Sequence, residues 1–220
     1  DHWFEELADH LGATYDRYAH TKGTVQEVDH VVAALDLRPG ERVLDVGCGT
    51  GRHAHELARR DIVVHGVDIS QRFVEIARTG APVGATFERV DARSLVFDRE
   101  FDAAICLCQG AFGMMTAEGD DAAVVAGIAR SLRPSGRLAL SAFNAYFAVT
   151  YHDGADFDAA TGEAHEVTEI RSEAGEARTV DLWTGCFTPR ELRLLLGAQG
   201  LVVDSISSVE PGAYGDAAAT

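Results

Sequence analysis

Apolar residues recur along this chain at two periods in alternation, and the alternation predicts its elements. Trp3, Phe4, Leu7, Ala8 and Leu11 fall at helical spacing, so an amphipathic helix opens the chain. Tyr15 and Tyr18 follow at i, i+3, then Lys22-Gly23. Thr24 and Glu27 read as a capping box for a second helix carrying Val28, Val31, Val32 and Leu35, which Arg38-Pro39-Gly40 ends. Residues 42–46 are a short apolar strand running into Gly47-Cys48-Gly49-Thr50-Gly51, with a helix beginning near Arg52. Residues 62–68 form a second strand, and Ser70 caps a helix bearing Phe73, Val74, Ile76 and Ala77. A third strand spans 86–90 and a fourth 101–107. Val124, Val125, Ile128, Ala129 and Leu132 mark a helix stopped by Pro134-Ser135-Gly136, and a fifth strand covers 137–143. Strand and helix repeated in this way make an α/β fold, a parallel sheet covered by helices on both faces.

The rhythm changes after Asn144. Residues 145–164 read as loop, and 167–172 with 178–186 as a β-hairpin about Ala174-Gly175. Thr188-Pro189-Arg190-Glu191 is a helix start, Leu192, Leu195 and Leu196 its buried face, and Gly200 its stop. A last strand is expected at 201–207. No repeat or linker interrupts the chain, so one domain over 1–220 is expected. It would comprise a helical cap (1–37), a core (38–143), an insertion holding the hairpin (144–187) and a C-terminal helix and strand (188–220).

Composition narrows the function classes. With 46% hydrophobic and 25% charged residues in 220, the chain is ordinary globular material. No apolar run approaches a membrane span, no signal-peptide pattern opens the chain, and a cytoplasmic location is expected. The formal net charge of −16, with arginines scattered and Lys22 the sole lysine, argues against a nucleic-acid or membrane partner. Cys48, Cys106, Cys108 and Cys186 show neither a CxxC pair nor zinc spacing, so reduced thiols and no metal are expected. His53 and His55, two residues apart on a helix, read as packing or surface residues.

The chemistry gathers at strand ends. Asp45, Asp68 and Asp91 each close one of the first three strands, where open α/β sheets place their ligands. A carboxylate buried there must find donors or face a ligand, and one after the second strand suits a ribose diol. Gly47, Gly49 and Gly51 let backbone come close to that ligand. A nicotinamide fingerprint would need a glycine where Arg52 stands, and no Gly-Lys-Ser/Thr follows for a P-loop. An adenosine cofactor without a pyrophosphate fits better.

Val43-Leu44-Asp45-Val46-Gly47-Cys48-Gly49-Thr50-Gly51 resembles the first motif of class I S-adenosylmethionine-dependent methyltransferases. The similarity continues through residues 66–70, 90–92, 101–103, 132–138 and 187–192. The resemblance implies a Rossmann-like, open twisted sheet and S-adenosylmethionine as cofactor, with S-adenosylhomocysteine as product. It implies in-line methyl transfer to a nitrogen or oxygen nucleophile of a small molecule. By position, Gly47, Cys48 and Gly49 would follow the methionine part, with Asp45 near its amino group. Asp68 would hold the ribose and Ile69 pack on adenine, while Asp91 and Ala92 would bond the adenine edge. Leu107, Cys108 and Gln109 would flank the methionine ammonium and the transfer point, and Tyr15 with Lys22 would close over the carboxylate. Residues 107–110, Leu-Cys-Gln-Gly, lack the Asn-Pro-Pro-aromatic motif of nucleic-acid methylators.

Phe112, Tyr146, Tyr151, His152, His165 and Trp183 are the candidates for lining an acceptor pocket. No catalytic side chain is assigned, since a sulfonium is already a good leaving group and only a hydroxyl acceptor would need a general base. A homodimer is compatible with the pattern. A non-catalytic S-adenosylmethionine-binding protein and, more remotely, a nicotinamide oxidoreductase are the alternatives. The chain departs from that family after residue 210, where 211–215 turn and 216–220 show no pattern for the family's closing antiparallel strand.

Overall fold

The computed structural model describes residues 2–18, 21–108, 110–114, 121–151 and 156–207. Its centre is a five-stranded sheet of β1 (Arg42–Val46), β2 (Val63–Asp68), β3 (Ala85–Arg89), β4 (Phe101–Cys106) and β5 (Leu132–Leu140). The strands lie in the order β3-β2-β1-β4-β5 and every pairing is parallel. The order reverses at β1, which has β2 on one side and β4 on the other. In such sheets the crevice beyond the carboxyl ends of the strands flanking the reversal receives the ligand.

Alternate residues of each strand feed two cores. Val43, Val64, Ala103 and Ile105 face α2 (Thr24–Ala34), α3 (Arg52–Ala58) and α4 (Gln71–Arg78), meeting Val28, Leu57 and Val74. Leu44, Val46, Ala104 and Cys106 face α5 (Asp121–Ser131), meeting Val124 and Ile128, with Leu192 and Leu195 of α7 (Pro189–Ala198) beside them. Burial on both faces explains why these strands read as continuous apolar runs. Ser70 accepts from the Phe73 N–H at the start of α4, and Thr188 with Glu191 forms a complete capping box on α7, both as the sequence predicts.

A second sheet follows β5. In it β6 (Phe143–Asn144), β9 (Ala177–Phe187), β8 (Glu163–Arg171) and β7 (Asp156–Asp158) lie in that order. The β8–β9 hairpin is antiparallel from Glu163↔Gly185 to Arg171↔Ala177. Ile170, Val180 and Leu182 on one face pack against Leu7 and Leu11 of α1 (Trp3–Leu11), which clamps the N-terminal helix between the hairpin and the parallel sheet's helices.

Four local expectations differ from the structure. The α2 capping box does not form: Gly23 is the N-cap without a side-chain bond, and Glu27 turns to Arg52 and His53 instead. Pro134-Ser135-Gly136 stops no helix; it bulges from β5, where Phe101 pairs with Leu132 and Ala103 already with Arg137. Among the described residues β5 is the outermost strand, and an outermost strand tolerates such an excursion. Residues 145–164 are not loop but contain α6 (Ala145–Tyr151) and β7, with the Asn144 side chain accepting from the Tyr146 and Phe147 amides. Exposed Tyr146, Phe147 and Val149 hide that helix from a periodicity reading, since among its described side chains those that pack inward are small, Ala148 and Ala145 beside Ala164 and Cys186. Residues 201–206 form no strand; Leu201 packs on the second core from an irregular segment, and only a lone bridge occurs at Ser207. Residues 208–220, including the expected turn at 211–215, lie outside the described residues. Among the described residues no helix is long and apolar enough to cross a membrane.

Gly51, the N-cap of α3, sits at φ +83° with Ala77 and Phe87 where a Cβ would project, at 2.9 and 3.0 Å. Gly51→Ala therefore combines left-handed strain with overpacking and should cost about 2–4 kcal/mol, read as a lower urea midpoint at unchanged slope. An unshifted midpoint would show that the turn relaxes freely.

Candidate cofactor site at the glycine turn

The turn after β1 is anchored by two bonds to one carbonyl: the Gly47 and Cys48 amides donate to Val67 O at 2.8 and 3.0 Å. Gly47, at φ +70°, lies against the loop after β4. A Cβ on it would stand 2.0 Å from the Gly110 carbonyl carbon, so the two loops meet backbone to backbone across the crevice.

Two buried carboxylates flank this turn in sequence, one at the end of β1 and one at the end of β2. Asp68 ends β2 at 3% exposure, its Oδ2 accepting from the Gly49 N–H and its Oδ1 from the Ser70 N–H, both at 2.8 Å. Burial pushes its carboxyl up to about 6 despite those bonds. Asp45 is 2% exposed; it gains one backbone bond, from Ala54, while its Oδ2 is buried without a partner. Burial raises it to about 7, with the Asp68 charge adding to the rise and the Arg52 charge opposing it. Asp91, half-buried, is held below the ordinary carboxylate range by Arg93, whose Nη2 lies 2.6 Å from its Oδ2. Gly47, Asp68, Ile69, Asp91 and Ala92 line one depression, together with His2 and Phe4 from the start of α1.

The remaining sequence candidates divide. Tyr15 packs on Phe73 with ring centroids 5.0 Å apart, its ring edge over Gly49, and burial lifts its hydroxyl to about 12. Lys22 is exposed, and its Nζ donates to the Asp16 carbonyl at 3.0 Å. The Asp16 carboxylate accepts from Thr50 at 2.5 Å and so ties the N-terminal segment to the glycine turn. Cys48 is buried, and Leu107 packs on the first core as it leaves β4. Cys108, at φ +52°, donates its N–H to Ser141. Gln109 and His152 lie outside the described residues, as does the side chain of Tyr151.

The acceptor candidates are not gathered in one place. Phe112 is fully buried and stacks on Phe187 at 4.6 Å, welding the two sheets together. Tyr146 is exposed on α6. His165 and Trp183 stack at 4.0 Å, with His165 Nε2 2.7 Å from Asp181. By strand parity they occupy the hairpin face opposite Ile170 and Leu182.

Sequence reading missed a group behind the turn. Glu27 Oε2 lies 2.7 Å from His53 Nε2 and also accepts from Arg52 Nη1, which bonds Thr24 Oγ1 at 3.0 Å. Arg52 Nη2 rests 2.9 Å from Cys108 Sγ. Burial keeps His53 below its ordinary value, hence neutral near pH 7, and burial likewise raises the Cys108 thiol. Burial opposes ionising Glu27, but its bonds to His53 and Arg52 prevail and hold it low. The donor atoms of Glu27, His53 and Cys108 lie within 4.8 Å of one another, and the guanidinium bonded to two of them supplies a cation there. A charged residue directly after a glycine turn was the only signal in the sequence.

Residues 43–136 match the family described as a methyltransferase domain. The segment from β1 into β5 is thus similar to a methyltransferase domain. The chain is 36% identical over 149 residues to 27-O-demethylrifamycin SV methyltransferase of Amycolatopsis mediterranei, covering 64% of this chain and 52% of that protein. It is 34% identical over 122 residues to the ubiquinone biosynthesis O-methyltransferase of Alkalilimnicola ehrlichii, covering 53% and 47%. The chain thus spans about half the length of the curated relatives it matches. The CcbJ methyltransferase from Streptomyces caelestis superposes with a TM-score of 0.73 at 20% identity, over 89% of this chain and 86% of that one, a likeness of fold. The matched segment of the methyltransferase domain runs from β1 into the β5 bulge and so contains Asp45, Asp68 and Asp91.

The raised carboxyls of Asp45 and Asp68 carry a pH signature. Each keeps its proton in the folded domain where the unfolded chain, near 4, has lost it, so their contribution to stability falls as pH rises from about 4 to 7. His2, His53 and His65, all lowered, act in the opposite sense, so a difference measurement is needed. Wild type should lose roughly 2 kcal/mol relative to Asp45→Asn between pH 5 and 7.5 in urea unfolding. Parallel pH profiles for the two proteins would refute a protonated Asp45.

Proposed function

We propose that this chain binds S-adenosylmethionine in the β1–β4 crevice and transfers its methyl group to a nucleophile of a small molecule by in-line displacement. The observation that carries the reading is Asp45 Oδ2, a buried acceptor that finds no partner among the described residues, just before a glycine turn. An orphaned carboxylate oxygen in the interior costs several kcal/mol unless something binds it. The ammonium of the methionine moiety is the complementary group, and its approach would draw the Asp45 proton off.

The other residues fit the same molecule. Backbone amides fix both oxygens of Asp68 yet leave each a lone pair, so the carboxylate can accept from two vicinal hydroxyls without rotating. Ile69, Asp91 and Ala92 share the depression with it and supply an apolar face, an acceptor and a backbone donor for adenine. Tyr15 covers the turn from above. The bound cofactor would supply a methyl already activated on sulfonium. The chain's residues then have to orient it and exclude water.

A small-molecule acceptor agrees with the net charge of −16 and with both relatives' names. Those names speak of oxygen acceptors, which supports a hydroxyl; a nitrogen acceptor remains within the same mechanism. His165 with Asp181 is a histidine–carboxylate pair, but it sits on the hairpin face turned from α1 and is not assigned as a base.

Calorimetric titration with S-adenosylhomocysteine should give saturable binding that Asp68→Ala weakens by about 100-fold, the loss of a charged bidentate contact. Incubation with S-adenosylmethionine and a panel of phenols, alcohols and amines should give one acceptor whose mass rises by a methyl group. Absence of S-adenosylhomocysteine binding would end the proposal, and tight binding with no methylated product would leave a non-catalytic binding protein.

A further inference from the structure

Glu27, Arg52 and His53 form a cluster that satisfies itself, and Cys108 is the member it does not need. Glu27 Oε2 meets His53 Nε2 at 2.7 Å and accepts from Arg52, whose Nη1 also bonds Thr24 Oγ1. Cys108 Sγ lies 2.9 Å from Arg52 Nη2, yet a neutral thiol is a weak acceptor for a guanidinium. The chain nevertheless bends to bring the sulfur there. Cys108 is a non-glycine residue at φ +52° on the loop leaving β4, its amide held by Ser141 Oγ at 2.7 Å. Backbone in that sparsely populated region persists only where its surroundings enforce it.

What the sulfur adds is a donor set. A carboxylate oxygen of Glu27, a ring nitrogen of His53 and Cys108 Sγ all lie within 4.8 Å of one another, and no other such trio occurs among the described residues. Oxygen, nitrogen and sulfur together suit a borderline-soft dication of the zinc class, whereas magnesium and calcium take oxygen ligands. The donors come from α2, α3 and the loop after β4, so no zinc-type spacing marks them in the sequence. Arg52 and Glu27 keep 13% and 17% of their side chains exposed, so solvent reaches the cluster.

We propose that Glu27, His53 and Cys108 bind a zinc-class dication in exchange for the Arg52 guanidinium. The thiol proton leaves to solvent as the sulfur–metal bond forms, and His53 carries its proton on the ring nitrogen away from the ion. The exchange balances in charge. The guanidinium neutralises one carboxylate, and the dication neutralises that carboxylate and the new thiolate. Displaced Arg52 retains Thr24 as a partner. The bound ion ties the loop after β4 to α2 and α3 beside the crevice, and the site stands independently of the cofactor reading.

Cobalt(II) reports a thiolate ligand directly, through a charge-transfer band in the near ultraviolet. Reduced, chelator-treated protein titrated anaerobically with cobalt(II) chloride should develop that band up to one equivalent per chain, and zinc(II) chloride should abolish it. Cys108→Ser should remove the band and weaken zinc binding by roughly 100-fold. Arg52→Gln removes the competing cation and should tighten zinc binding by about tenfold. Where either variant fails to fold by circular dichroism, the wild type carries the test. One equivalent of zinc should slow iodoacetamide labelling of Cys108, read by peptide mass, by about tenfold or more. The proposal falls if wild type shows no band, or if the band survives Cys108→Ser. It falls equally if Arg52→Gln binds zinc no more tightly than wild type, or if zinc leaves the labelling of Cys108 unchanged.

Discussion

Asp45 and Asp68 are both buried near the carboxyl ends of two paired strands, and most of the surrounding architecture serves to make that burial tolerable. Asp68 is held by amides of Gly49 and Ser70, which exist as free donors because a left-handed turn and a helix start meet there. Asp45 receives one amide bond, and among the described residues nothing satisfies its second oxygen. The two carboxyls answer the shortage by rising toward neutrality, which lowers the charge held in the low-dielectric interior. A site built this way stores an unfavourable term that a cationic ligand would remove.

The backbone is shaped around the same point. Gly47 and Gly110 allow the loops after β1 and β4 to touch, which narrows the crevice at the topological reversal and sets its floor. Tyr15, Phe4 and His2 then come over it from the N-terminal segment, carried there because the β8–β9 hairpin presses α1 onto α4 through Ile170 and Leu182. The second sheet thus acts on the site indirectly, by fixing what covers it.

Glu27 shows how tertiary demand overrides a local preference. Its spacing from Thr24 suits a helix cap worth about 1 kcal/mol. In the fold it meets a buried guanidinium and an imidazole, and the charge-assisted bonds to them outweigh a cap at a half-buried helix start. The acceptor candidates show the converse. Phe112 is aromatic like a pocket residue but is buried in the second core, stacked on Phe187 of the second sheet, and His165 and Trp183 stack with each other on the far face of a hairpin.

By itself the sequence determined the parallel α/β core, the glycine turn and the three acids at strand ends, because each depends on short-range periodicity and on residues next to one another in the chain. Cap residues such as Ser70 and Thr188 were legible for the same reason. Only the tertiary structure decided that Glu27, Arg52, His53 and Cys108 form one group, that residues 201–206 form no strand, that α6 exists and that an oxygen of Asp45 is left unsatisfied by the described residues. Each of these depends on which groups, distant in sequence, reach the same volume. The strength of a buried charge's claim on its neighbours is set by that volume's low dielectric, which no local pattern records.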